Sequence, residues 1–118
     1  MWHSGQPSRV ALGALMALAL WPALAAARPD PVKLEETRSL TSEAALVEAT
    51  DAQGRLTKAY AKAVRADLAK QIGELLKDAE LGPTARAVLA AMARHDAAAL
   101  TRIRDRLVSM ERADGRAD

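Results

Sequence analysis

RLTKAYAKAVRADLAKQIGELLKDA, residues 55–79, is the stretch whose reading decides the fold. Leu56, Tyr60, Val64, Leu68 and Ile72 recur every four residues, and Leu75, Leu76 and Ala79 extend the set. That spacing predicts an amphipathic helix. A strict spacing of four advances by about 40° per step on a helix of 3.6 residues per turn. The apolar stripe therefore winds around the rod, as on a helix that crosses its partners at an angle or is covered on two sides.

Toward the C-terminus, Leu81-Gly82-Pro83 ends this helix. Glycine is expected to supply a left-handed cap, and proline to open the next helix in its first turn. From there the apolar positions are Ala85, Val88, Leu89, Met92, then Leu100, Ile103, Leu107 and Met110. Asp96 falls in the middle of this face, where an unpaired carboxylate is costly. Two solutions remain: a continuous helix, or a break at His95-Asp96 with Asp96 capping a new helix over residues 97–112.

Toward the N-terminus, Asp51-Ala52-Gln53-Gly54 reads either as a turn or as a weak spot in one long helix. Before it, Leu40-Thr41-Ser42-Glu43 predicts a helix start with Thr41 as the cap. Residues 28–39, with Pro29 and Pro31, read as an extended, mobile leader, and residues 113–118 as a frayed tail. The outcome is an all-α helical domain over residues 40–112, a small bundle or extended hairpin of three to four helices.

Residues 1–27 read as a cleavable export signal. A polar start carrying Arg9 precedes an apolar run from Val10 to Leu20, then Trp21-Pro22 and Ala23-Leu24-Ala25-Ala26-Ala27. Small residues allow a cut after Ala25 or after Ala27. An uncleaved anchor is the alternative, but the apolar stretch is short of the roughly 20 residues a spanning helix needs and is interrupted by Pro22. The absence of cysteine excludes lipid attachment at a new N-terminal cysteine.

A cut after Ala27 leaves 91 residues with 16 basic and 15 acidic side chains. A net charge of +1 is no footprint for nucleic acid, so that class of partner is not expected. The abundance of alanine (28 residues) and of arginine over lysine (12 against 5) points to a bacterial, periplasmic or secreted protein. Both tryptophans leave with the signal, and Tyr60 becomes the single aromatic. Leu, Val and Ile make up 18 of the 91 residues, so the core is thin and self-association as a homodimer would help it.

Chemistry is poorly supplied. One histidine, His95, and no cysteine give no zinc set, and no nucleophile–base arrangement appears. Met92 and Met110 sit on the apolar stripe and read as core. No enzyme activity, cofactor or metal is expected. The one charge cluster is Arg55, Lys58, Lys62 and Arg65, four cations without an intervening acid, with Tyr60 at its edge. This is the expected interaction surface of an exported, non-enzymatic, protein-binding helical protein whose partner is unknown. The alternatives are a membrane-surface protein using residues 55–65 against anionic lipid, and a small periplasmic enzyme or ligand binder.

Overall fold

The computed structural model describes residues 28–117, so the expected export signal and its expected cleavage positions Ala25 and Ala27 lie outside the described residues. Within them the chain is all-α, a small bundle of four α-helices with one 3-10 turn. Helix α1 spans Pro31–Ala52, α2 Lys58–Gly73, α3 Gly82–Ala93 and α4 Ala97–Ala117, with the 3-10 turn at Glu74–Lys77 between α2 and α3.

The first correction concerns α1. It begins at Pro31, replacing the extended leader over residues 28–39 and the start at Thr41. The Asp30 side chain accepts from the Val32 N–H at 2.8 Å, and Pro31 occupies the first turn, where a missing N–H costs nothing. The two prolines that suggested an unstructured segment thus mark a helix start. Leu34 is 2% exposed and Thr37 is buried, so the helix is held by packing through this region. Thr41 is fully buried mid-helix, its hydroxyl donating to the Thr37 carbonyl at 2.7 Å, and Thr37 does the same to Lys33 at 2.7 Å. These bonds within the helix let both threonines enter the core without an orphaned donor.

The turn after α1 is realised. Gly54 has φ +69°, a left-handed conformation that suits glycine. Thr57 caps α2, its hydroxyl accepting from the Tyr60 N–H at 3.1 Å. The helix expected over residues 55–79 is therefore shorter: it starts at Lys58, ends at Gly73 and tightens into the 3-10 turn. The chain then extends at Asp78, whose carboxylate accepts from the N–H groups of Glu80 (3.0 Å) and Leu81 (2.9 Å).

Gly82 is also corrected. It is not a left-handed cap but the first residue of α3. Glycine is required there for space, since a Cβ would stand 2.6 Å from the Leu76 carbonyl oxygen.

The break at His95-Asp96 exists. His95 adopts φ +54°, the Asp96 N–H reaches back to the Ala91 carbonyl at 2.9 Å, and the His95 N–H reaches Met92 at 3.0 Å. This is the Schellman closure, with histidine where glycine is usual. Asp96 then caps α4, accepting from the Ala99 N–H at 2.9 Å. Helix α4 continues to Ala117, past the expected end at Arg112.

The core forms where α1 lies antiparallel to both α2 and α4. Leu40, Ala44 and Ala45 of α1 meet Leu68 and Ile72 of α2, Val88 and Met92 of α3 and Leu100 of α4. A second, smaller cluster joins Leu34, Leu81 and Leu107, with Met110 against it. Among the described residues no helix is long and apolar enough to cross a membrane.

Candidate interaction surface

The basic cluster does not assemble as the sequence suggested. Residues two apart on an α-helix point about 200° apart, so Tyr60 faces away from both Lys58 and Lys62. Arg55 precedes the helix and is exposed, as are Lys58 and Lys62. Arg65 turns inward instead. Its Nε donates to Glu48 Oε2 at 2.8 Å, and its Nη2 donates to Glu48 Oε1 at 2.7 Å and Asp51 Oδ2 at 2.6 Å.

Glu48 is the centre of this inner cluster. It is 3% exposed, yet its carboxylate also meets His95 Nδ1 at 3.0 Å. Since a carboxylate only accepts, Nδ1 carries the proton in this contact. Burial pushes the Glu48 carboxyl up, but hydrogen bonds from Arg65 and His95, with the positive charge they bring, hold it below its ordinary value. The same carboxylates hold the Arg65 guanidinium above its ordinary value. One carboxylate thus fastens α1, α2 and the α3–α4 turn together. It is a clasp with no nucleophile beside it among the described residues, and its cation is consumed.

Tyr60 lies in a different place. It is 56% exposed and lines a furrow between α1 and α2, together with Leu46, Val47, Val64 and the carboxylates of Glu43 and Asp67. The depression has a volume of about 470 Å³. A second depression adjoins it, sharing Glu43 and Asp67 and continuing along α1 past Ser39 to Glu36, Glu35 and Val32. Leu46 is 67% and Val32 71% exposed.

The winding stripe of α2 explains how this surface arises. Leu68 and Ile72, late in the stripe, are buried, whereas Tyr60, two or three steps earlier, has rotated about 80–120° out of the core. Helix α1 contributes Leu46 because its buried face is the line through Leu40, Ala44 and Glu48, which Leu46 is not on. No lysine or arginine lines either depression. The cations of α1 are engaged elsewhere: Lys33 with Asp78 at 3.3 Å and Arg38 with Glu111 at 2.7 Å. Glu35, Glu36, Glu43 and Asp67 have no ion-pair partner among the described residues.

The sequence places Tyr60 at the edge of a basic surface, whereas it lines a furrow with Leu46, Glu43 and Asp67, and neither these residues nor the Glu48 clasp stood out in the sequence. The available signal was weak: the positions of Leu46 and Val32 in the helical repeat differ from that of Leu40, but only if the helix is known to start at Pro31. The break at His95-Asp96 is one of the two solutions the spacing left open, and the tie from His95 to Glu48 has no signal in it.

The chain matches no family model, no curated protein and no solved structure.

Proposed function

We propose that this is an exported helical protein that acts by binding another protein chain, without catalysis, and that the furrow between α1 and α2 is where it binds. The observation that carries the reading is the pairing of Leu46 and Tyr60, two large apolar side chains left more than half exposed on opposite walls of one depression. Exposed apolar surface concentrated in a concave site is the feature that distinguishes a docking surface from scattered exposed residues. The export signal supports a periplasmic or secreted location, and both cleavage positions precede Asp30, so either cut leaves the cap of α1 in place.

The membrane-surface alternative has less support. An interfacial helix needs cations flanking its apolar face, whereas the apolar residues of this surface are bordered by carboxylates and Lys58 and Lys62 lie around the far side of α2. The enzyme alternative has less support: no histidine or cysteine lines either depression, so nothing there activates the hydroxyls of Ser39 or Tyr60.

A photo-crosslinking side chain at position 60, in the full chain expressed in its native host, tests the reading. An adduct at position 60 is expected that is absent from a probe at Arg102 and lost on Leu46→Asp. Equal labelling at positions 60 and 102 would overturn it. N-terminal sequencing of the exported protein should begin at Ala26 or Arg28; an intact Met1 on membrane-bound protein would establish the anchor instead.

A further inference from the structure

Resting on the furrow as a protein-docking site, we propose that its occupant is a cationic amphipathic helix of a different protein, and not a second copy of this chain. Three observations lead there: the shape of the furrow, its charge, and the composition of every other exposed face.

The furrow follows the axis of α1 from Val32 to Val47. At 1.5 Å per residue that is roughly 22 Å, the length of a helix of about 14 residues. A helix seated between two antiparallel helices meets apolar walls at one end, formed by Leu46, Tyr60 and Val64, and carboxylates along the rest. It must therefore carry large apolar side chains on one face, recurring at three- and four-residue spacing.

Charge selects the remainder. Glu35, Glu36, Glu43 and Asp67 line the furrow, and no cation among the described residues pairs with them. Docking brings these carboxylates close to the occupant's flanks in a partly dehydrated setting, where like charges repel and opposite charges add to affinity and to encounter rate. Lysine or arginine beside the apolar face is the complement.

A second copy does not supply that face. Two furrows meeting about a two-fold axis would set carboxylates against carboxylates. The large apolar side chains most exposed among the described residues are Val32, Leu46, Tyr60 and Leu76, and the first three belong to the furrow itself. The cationic outer faces of α3 and α4, carrying Arg86 and Arg94, or Arg102, Arg106 and Arg112, interleave only alanine, serine and similar small or polar residues among the exposed positions. The other large apolar groups beside cations are Leu76 with Lys77 in the 3-10 turn, and Ile103 and Met110 with Arg106, half-buried in a depression against α3. Among the described residues none of these projects as a continuous exposed apolar face, which favours an occupant from another chain.

The test uses the full chain, purified as exported, and two labelled helical peptides of about 14 residues with the same leucine face. One has lysine at its flanks and the other glutamate. Anisotropy at low salt should show the lysine peptide binding at least about tenfold more tightly, with the gap shrinking at about 0.5 M sodium chloride. The double variant Glu43→Lys/Asp67→Lys, both sites exposed and outside the core, should reverse the preference while keeping the helical circular dichroism and melting temperature of the parent.

Equal affinities for the two peptides, or a preference that survives the double variant, would overturn the inference. Equal affinities abolished by Leu46→Asp would do so while leaving the docking reading intact. Failure of both peptides to bind, with a dimer in sedimentation that Leu46→Asp dissociates, would assign the furrow to a second copy and overturn it as well. Failure of both peptides together with equal crosslinking at positions 60 and 102 would remove the docking reading itself.

Discussion

At the scale of single residues, Glu48 carries the greatest consequence. A carboxylate 3% exposed in an alanine-rich core is tolerated because Arg65 grips both of its oxygens and His95 adds a third donor. Arg65→Ala removes the grip and leaves the carboxylate buried, so a loss of about 2–4 kcal/mol is expected in chemical denaturation. Lys58→Ala and Lys62→Ala, exposed cations of the same helix, should change stability by no more than about 0.5 kcal/mol. The pH dependence follows from the direction of the Glu48 shift. Its folded pKa lies below its unfolded value of about 4.3, so the unfolded chain binds the proton more readily there. Its stabilisation is complete above the unfolded value and is lost as pH falls through the folded one. Asp78 acts in the same direction, lowered first by the Leu81 N–H and then by Lys33 and the Glu80 N–H, against the opposing effect of burial. Stability measured from pH 6 down to 2 should fall with a slope that Glu48→Gln makes shallower. A parallel curve for that variant would mean that other groups drive the acid transition. None of this clasp was legible from spacing, because Glu48, Arg65 and His95 lie on three different elements and no periodicity connects them.

At the scale of elements, the helices were legible in type and less so in extent. Helix α2 was visible because its large buried side chains are Leu68 and Ile72. Helix α1 was half hidden because its buried face includes Thr37, Thr41 and Glu48 while Val32 and Leu46 stand in solvent. A hydrophobic repeat cannot show a helix that places polar residues inwards. Deleting residues 28–39 separates the two descriptions. A mobile leader would be lost without effect, but here removal exposes Leu81 and Leu107 and withdraws Leu34, worth about 2 kcal/mol for that side chain alone. A drop in melting temperature of several degrees is expected. The glycines form a second test. Gly82→Ala drives a Cβ into the Leu76 carbonyl and should cost about 1–3 kcal/mol. Gly73→Ala, inside the helical end of α2 with nothing within 4 Å of the new methyl, should stabilise by roughly 0.5–1 kcal/mol. Equal effects at the two positions would contradict the close approach at Gly82.

At the scale of the whole molecule, the arrangement of α1 against α2 and α4 divides apolar groups into a core and an uncovered furrow. Leu46→Asp should leave the melting temperature within a few degrees of the parent while abolishing capture at position 60, because the side chain contributes to no buried cluster. Self-association through the same face should be weak at neutral pH, so that sedimentation of the chain responds little to this substitution. The amino-acid sequence on its own determined that the chain is helical, marked Asp51–Gly54 and His95-Asp96 as the places where a break could fall without deciding that either did, and showed which residue types are scarce. These are local properties: capping side chains, glycine and proline conformations, and spacing along one strand of chain. Which of two similar apolar residues, Tyr60 or Leu68, faces the core was decided by packing, since a stripe that winds around its helix is covered only where a neighbour crosses it. The fate of Arg65 was decided in the same way. It lies in the only run of cations in the chain, yet it is taken inward by a carboxylate 17 residues earlier, leaving the candidate binding surface apolar and acidic where the linear pattern had suggested basic.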